Sequence, residues 1–308
     1  MRPIVLRAAL SVLVFAPFIC FSAQDAAAGR PPITVTNADD PGNAICNEQC
    51  TLREAIDVAN GTVDTDTIQF NIGTGTPVIL IGAPLVISDP VVMIGAGPAD
   101  RVELRGPGGP FDANFNGLKL TAGAAGTELH NLVINSFPGW GIWIEAGSVE
   151  VRGSRIGTDA TGSVDMGNGA GIIVMGSGAE IGFPTGTTPG GACTGGCNLI
   201  SGNNGFGIAL ETTATNAVIK SNYVGTDVSG NAAIQNDYGG IFTNGASGLT
   251  LGGAGAGEGN VVSGNFQVGV EVNGPSAQIQ GNRIGTNSAG TAAIANGQFG
   301  LRAYPRTV

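Results

Sequence analysis

Short apolar runs recur along the chain at regular intervals. In each run a glycine precedes a branched aliphatic residue, and apolar and polar positions then alternate. Alternation with a period of two is typical of a β-strand that buries one face. The step recurs every 29 to 36 residues, at Ile142, Ile172, Ile208, Ile241, Val270 and Leu301. This regularity indicates a repeat architecture in which each repeat adds one such strand.

Three short strands fit between successive steps. One interval contains GIALE, AVIKS and NYVG, followed by the polar segment GTDVSGNAAIQND. One coil of a parallel β-helix needs three strands, and stacked coils align their inward side chains in an apolar column. We therefore predict an all-β fold, a parallel β-helix solenoid, in which the polar segments loop outward after the third strand.

A longer repeat of 60 to 68 residues contains two of these coils. It reads VEVRGSRIGTDATG from Val149, AVIKSNYVGTDVSG from Ala217 and AQIQGNRIGTNSAG from Ala277. Glycine and asparagine tolerate turn conformations, and stacked asparagines can form hydrogen-bonded amide ladders. Gly-Asn pairs stand at the predicted turns, at Gly202-Asn203, Gly264-Asn265 and Gly281-Asn282.

One helix is expected near the start of the repeats. Thr51 and Glu54 form an S/T-x-x-E capping box, and the helical pattern runs to about Ala59 before Asn60-Gly61. Leu52, Ala55, Ile56 and Ala59 fall on one apolar face. An open coil end needs a cover, so we predict that this helix caps the first coil.

The first residues have the features of an export signal. Arg2 and Arg7 precede an apolar run over residues 8–21, and Ala26-Ala27-Ala28 supplies a cleavage pattern. A membrane anchor is the alternative, although the run is short for a bilayer. We predict a signal peptide over residues 1–28, an N-terminal cap over 29–75 and β-helix repeats over 76–308, with no transmembrane segment in the mature chain.

Composition and charge limit the classes of binding partner and the cellular compartments that fit this chain. The net charge of −10 excludes a general nucleic-acid binder, which needs a basic face. Glycine contributes 53 residues, which fits many strands and turns and argues against a helical bundle. The cysteines of the predicted mature chain form two C-x3-C pairs, and two local disulfides are favoured over one shared zinc site. The pairs are Cys46 with Cys50 and Cys193 with Cys197.

The N-terminal segments ITVTNADD, CNEQCTLREAIDVAN and DTIQFNI resemble the CSLREA domain, which begins large exported bacterial proteins. The signature reads CTLREA here, with Thr51 in place of the serine. The segments NLISGN, YVGTD and SGNAAIQN look like the right-handed β-helix repeats that follow that domain. The resemblance, over residues 33 to 303, implies export, a right-handed pectin-lyase-like β-helix and a place at the cell surface or outside. It implies no settled activity and supplies no catalytic residues.

Residues that could cleave a polysaccharide each have a structural alternative. Asp159 and Asp227 both stand in G-T-D, but the third repeat has Asn287, which favours a turn over a hydrolytic carboxylate. His130 is the only histidine, and a surface turn is the favoured interpretation. The sequence therefore predicts no catalytic residue, no metal site and no cofactor.

Four residues are candidates for ligand binding. Arg152 and Arg155 could bind an acidic sugar, although a solvated pair that bridges turns is favoured. Trp140 and Phe206 occupy equivalent positions two coils apart, about 10 Å, which suits stacking on sugar rings. The favoured alternative is that these rings fill the core or cover a corner. The candidate contact loops are 157–168, 182–197, 225–237 and 285–297.

The favoured function is an exported, non-catalytic scaffold, secreted or at the cell surface, for adhesion or for binding polysaccharides or surface proteins. One alternative is a polysaccharide lyase or hydrolase of pectin-lyase-like fold, which needs a cleft with several non-repeating charged residues. The other is a purely structural spacer, which binds nothing and cleaves nothing.

Overall fold

Each turn of the chain contributes one strand to each of three parallel sheets. The computed structural model describes residues 30–95, 101–185 and 187–304, so the predicted signal peptide lies outside the described residues. The strands are β1 (Ile33–Val35), β2 (Asp66–Phe70), β3 (Val78–Leu80), β4 (Leu85–Ile87), β5 (Val91–Ile94), β6 (Val102–Arg105), β7 (Leu118–Leu120), β8 (Glu128–His130), β9 (Leu132–Asn135), β10 (Trp140–Ile144), β11 (Glu150–Arg152), β12 (Arg155–Ile156), β13 (Ala170–Val174), β14 (Glu180–Ile181), β15 (Leu199–Ile200), β16 (Phe206–Leu210), β17 (Val218–Ile219), β18 (Tyr223–Val224), β19 (Gly239–Thr243), β20 (Thr250–Gly252), β21 (Val261–Val262), β22 (Val268–Val272), β23 (Gln278–Gln280), β24 (Arg283–Ile284) and β25 (Phe299–Ala303).

The strands β2 to β25 form eight coils of three strands within the described residues. Sheet A has the order β1-β2-β5-β8-β11-β14-β17-β20-β23. Sheet B contains every third strand from β3 to β24, and sheet C contains every third strand from β4 to β25. The paired strands are parallel, because the chain returns to each sheet only after a full coil. This topology confirms the predicted all-β parallel β-helix.

The predicted apolar column lies on the inner face of sheet C. Ile142 pairs in register with Ile172, Ile172 with Ile208, and Ile208 with Ile241. These four isoleucines are buried and belong to one continuous core. Val270 and Leu301 extend the same register. The 29 to 36 residue step of the sequence is therefore the length of one coil.

A glycine column runs beside this apolar column. Its members stand directly before the core residue of seven of the eight strands in sheet C, where the backbone passes close to the inner side chains of sheet B. A Cβ atom at most of these positions would lie within about 3.1 Å of a carbonyl oxygen of the following coil. The column consists of Gly117, Gly141, Gly171, Gly207, Gly240, Gly269 and Gly300.

Asparagines that are buried or, at the last rung, half-buried form two ladders along the coil corners. The first joins Asn168, Asn203, Asn236, Asn265 and Asn296, and the second joins Asn198, Asn222, Asn260 and Asn282. In each rung the Nδ2 of one asparagine donates to the Oδ1 of the next at 2.8 to 3.0 Å. The ladders confirm the amide stacking expected at the Gly-Asn turns, and they pair polar groups that the corners bury.

Helix α1 (Leu52–Asn60) covers the N-terminal end of the coils. Its buried face packs against β1, β2 and β4, as the capping prediction requires. Arg53 anchors the preceding loop, since its Nε and Nη2 donate to the two carboxylate oxygens of Asp40 at 2.7 and 2.8 Å. Gly61 ends the helix with a φ of −89°, so the left-handed residue typical of helix ends is not used.

The capping box makes the helix sensitive to one substitution. Thr51→Ala is expected to lower the free energy of unfolding by about 1 kcal/mol, because the Glu54 backbone N–H loses its acceptor. Burial raises the pKa of Glu54, but hydrogen bonds from Thr51 and Ile45 outweigh burial and lower that pKa below 4.5. The stabilisation by ionised Glu54 is therefore present at neutral pH and lost as the pH falls through the folded pKa.

Urea unfolding monitored by circular dichroism at pH 7 and pH 3 tests this prediction. The exposed Thr65 is the matched control, and Thr65→Ala should leave the unfolding midpoint unchanged. Equal midpoints for the wild type and Thr51→Ala at pH 7 would contradict the capping role.

Two local disulfides fix loops, as predicted. Cys46 is bonded to Cys50 next to helix α1, and Cys193 is bonded to Cys197. The second bridge lies over the outer face of sheet B, where both cysteines pack with Leu199, Tyr223 and Val261. The loop that the second disulfide closes therefore packs on the outer face of sheet B.

The predicted boundary between residues 75 and 76 falls inside a continuous architecture, and the predicted boundary between residues 28 and 29 lies outside the described residues. The described fold belongs to one unit, Pro32–Val308, while the other unit, Met1–Pro31, lies almost wholly outside the described residues. Strand β2 belongs to the predicted N-terminal cap, yet it pairs directly with β5 of the repeats. None of the helices in the described ranges has the length and apolar character of a membrane span.

Candidate functional site

Four aromatic rings surround a surface cleft where the chain enters sheet C. We define the aromatic cleft by Phe111, Trp140, Phe206 and Tyr238, which line a cavity of about 550 Å³. Trp140 and Phe206 are the first residues of β10 and β16, and Ala170 of the intervening strand lies between them in register. Two rungs of a parallel sheet separate the rings by about 10 Å, as the repeat predicts. The small side chain of Ala170 leaves the space between them open.

Two of the rings contact other aromatic rings, and all four remain at least partly accessible to solvent. Phe206 stacks on Phe242 with ring centroids 4.7 Å apart and meets the edge of Tyr238 at 5.8 Å. Phe111 and Tyr238 are 61% and 56% exposed, and Trp140 and Phe206 are half-buried. The rings therefore cover a corner and do not enter the core.

The chemistry of the aromatic cleft is that of a stacking platform. Its other lining residues are Gly169, Ala170, Asn204 and Gly205, so no charged side chain lines it. Cleavage of a glycosidic bond uses a pair of carboxyl groups on either side of the bond. The lining of this cleft supplies none, whereas ring faces and an amide suit the binding of a sugar.

The two predicted arginines lie apart from the aromatic cleft and on different sheets. Arg152 ends β11 in sheet A and forms an ion pair with Glu150 at 2.9 Å. Arg155 begins β12 in sheet B, where burial lowers the pKa of its guanidinium. Burial and the charge of Arg155 lower the pKa of the neighbouring Arg101 to about 10. The structure does not join either arginine to Trp140 and Phe206, and their ligand-binding role stays a prediction.

The G-T-D carboxylates belong to turns. Asp159 Oδ1 accepts hydrogen bonds from the backbone of Ser163 and Val164 at 3.0 Å. Asp227 makes the same pair of contacts with residues 231 and 232, and so does the amide oxygen of Asn287 with residues 291 and 292. An amide replaces the carboxylate without loss of the turn, which explains the sequence variation.

The prediction that His130 lies in a surface turn is wrong. His130 ends strand β8 of sheet A, and its side chain is only 8% exposed. Its Nε2 atom lies 3.1 Å from Glu128 Oε2 and 3.6 Å from Glu150 Oε1, while Arg152 Nη2 lies 3.4 Å from Nδ1. We call Glu128, His130, Glu150 and Arg152 the Glu-His cluster.

Burial sets the protonation states in the Glu-His cluster. Burial, and then the charge of Arg152, lower the pKa of His130 below 6.5, despite the opposing effect of Glu128. Burial also raises the pKa of Glu150, against the effect of Arg152. The lowered pKa favours the neutral form of the imidazole.

The sequence contained a signal for this cluster that composition alone does not reveal. Glu128, Glu150 and Glu180 stand at equivalent positions in TELH, VEVR and AEIG, and they lie in register on sheet A. Aligning single coils, in place of the two-coil repeat, brings these carboxylates into one column.

The fold and the cleft define a parallel β-helix protein with an aromatic site on its outer surface. The chain matches no protein-family model and no curated protein. Among solved structures it is similar to the Dettilon tailspike protein (gp208), with a TM-score of 0.47 and 15% identity. The alignment covers 82% of this chain and 55% of the tailspike chain, so the chain spans about half of that protein's length.

Proposed function

We propose that this protein is an exported, non-catalytic β-helix scaffold that binds glycans through the aromatic cleft. The main support for this proposal is the pair of rings of Trp140 and Phe206, which lie two rungs apart and are separated by the small Ala170. A sugar ring fits against such a face because its C–H groups pack on the aromatic surface. The uncharged lining fits a binding site better than an active site.

Export of the protein is supported by independent features of the chain. The N-terminal residues have the pattern of a signal peptide, and the following segments resemble the CSLREA domain of exported bacterial proteins. Disulfides such as Cys46–Cys50 persist in oxidising compartments outside the cytosol. We infer a secreted or surface-attached protein whose partners are polysaccharides or surface proteins.

Trp140→Ala is expected to weaken glycan binding about tenfold, because one stacking face contributes about 1.4 kcal/mol. Phe206→Ala should weaken it to a similar extent. Trp143→Ala is the matched control, since Trp143 lies on the same strand but outside the cleft, where its Nε1 donates to Glu145.

The measurement is calorimetric titration with neutral and acidic polysaccharides, together with an assay for released sugar ends. Binding without cleavage that depends on Trp140 supports the proposal. Cleavage that one substitution abolishes would instead establish the lyase or hydrolase alternative. If no polysaccharide binds, the protein is better explained as a structural spacer. If binding persists in Trp140→Ala and Phe206→Ala, the aromatic cleft is not the binding site.

A further inference from the structure

A buried polar atom in the Glu-His cluster has no hydrogen-bond partner. His130 Nε2 is buried and faces two carboxylates, yet the contacts lack hydrogen-bond geometry. Native proteins rarely leave such an atom unpaired, and a bound metal ion would satisfy it by accepting the Nε2 lone pair of the tautomer that carries its proton on Nδ1.

The carboxylates around His130 carry more negative charge than their neighbours compensate. Glu128, Glu150 and Glu180 lie on adjacent rungs of sheet A, about 4.8 Å apart, with like charges directly opposite. Arg152 supplies a single positive charge, through its contacts with Glu150 at 2.9 Å and Glu128 at 3.8 Å. A divalent cation would remove the remaining repulsion.

The spacing of the three ligand atoms matches a small metal ion. Metal bonds of about 2.0 to 2.2 Å in a tetrahedral arrangement place ligand atoms roughly 3.4 Å from one another. The distances from His130 Nε2 to the two carboxylates are 3.1 and 3.6 Å, and the three ligand atoms all lie within 4.8 Å of one another. One imidazole with two carboxylates favours Zn²⁺ or a similar transition-metal ion over Mg²⁺ or Ca²⁺, which prefer oxygen ligands alone.

A cavity lies beside one of the three proposed ligands, His130. The cavity has a volume of about 270 Å³ and is lined by His130, Arg152 and Phe183, and by Gly195 and Gly196 of the loop that the Cys193–Cys197 disulfide closes. This space can hold a water molecule as a fourth ligand.

We propose that Glu128, His130 and Glu150 bind one transition-metal dication of the Zn²⁺ class, at a site separate from the aromatic cleft. The ion holds β8 to β11 on the outer face of sheet A. Arg152 opposes this binding, because its donor contact with Nδ1 leaves the ring proton on Nε2, the atom that ligates the metal. Metal binding at Nε2 requires the neutral ring to carry its proton on Nδ1 instead, which removes the acceptor of the guanidinium and displaces Arg152.

The test is titration of chelator-treated protein with ZnCl₂ by calorimetry, and with CoCl₂ by visible absorption. We expect one ion per chain and a Co²⁺ spectrum typical of a four-coordinate site. His130→Gln and Glu128→Gln should each weaken binding at least about 100-fold. Arg152→Gln should strengthen it about tenfold, because a competing cation is removed.

Glu145→Gln is the matched control, since Glu145 pairs with Lys119 on sheet C and lies outside the cluster. It should leave the affinity unchanged, and MgCl₂ should not compete with Zn²⁺. Failure to bind one ion per chain, or binding that His130→Gln leaves intact, overturns the proposal. Weaker metal binding by Arg152→Gln than by the wild type would also overturn the proposal. If His130→Gln does not fold, the affinity of Arg152→Gln is the deciding measurement.

Discussion

Gly171→Ala is expected to destabilise the protein by about 3 kcal/mol, because the stacked coils leave no room for a Cβ atom. A Cβ at this position would lie 2.2 Å from the carbonyl oxygen of Gly207 and 3.1 Å from Ile200 Cγ2. The first contact is with backbone that is hydrogen-bonded in sheet C, so relief requires the coils to separate. Their separation would break the apolar packing of Ile172 on Ile208.

Gly300→Ala is the matched control for this experiment. Gly300 belongs to the same glycine column, but β25 pairs only with β22 in the described residues, and a Cβ there meets only Ile284 Cγ2 at 3.4 Å. Urea unfolding followed by circular dichroism should show a lower midpoint for Gly171→Ala and little change for Gly300→Ala. Equal midpoints for the two variants would show that contact between coils is not the cause.

Asn203→Ala is expected to cost about 3 kcal/mol, because it interrupts the first asparagine ladder inside the protein. Asn203 is fully buried, and its Oδ1 accepts from both the Nδ2 and the backbone N–H of Asn168, at 3.0 and 3.4 Å. Its Nδ2 donates to Asn236 Oδ1 at 2.9 Å and to the carbonyl of Ile156 at 3.2 Å. Alanine removes all four contacts and leaves the backbone N–H of Asn168 without its acceptor, in a corner that water does not reach.

The end of the same ladder provides the comparison. Asn296 accepts from the backbone and the side chain of Asn265, as Asn203 does from Asn168, but Asn296 is only half-buried. Water can replace the lost oxygen in Asn296→Ala, so we expect a cost of about 1 kcal/mol. Unfolding midpoints and hydrogen exchange of the Asn168 amide measure the difference. A smaller effect for Asn203→Ala than for Asn296→Ala would contradict the structural role of the buried rung.

The solenoid could be predicted because each of its requirements is local. A strand of period two, a Gly-Asn turn and a helix with a capping box are all encoded within a few residues. The repeat then fixed the register, since Ile142, Ile172, Ile208 and Ile241 stand at the same place in successive coils. The disulfides followed from the same locality, because each links cysteines four residues apart.

The sites were less predictable because loops and neighbouring coils complete them. Trp140 and Phe206 were identified by their repeat positions, but Phe111 and Tyr238 join the aromatic cleft from segments that precede the strands of sheet C. His130 was misjudged because the sequence does not show that it ends a strand of sheet A, where its side chain is buried beside a cavity that Phe183 and Gly196 also line.

The sequence by itself determined the coil, its three strands and the order of the core residues, since alternation and turn chemistry act over short stretches of chain. Only the tertiary structure decided which outward side chains meet. Glu128 and Glu150 are 22 residues apart, and their contact depends on how one coil stacks on the next. Inward positions must repeat because they fill a continuous core, whereas outward positions are free to vary. The candidate binding sites therefore lie at outward positions, where the repeat constrains the sequence least.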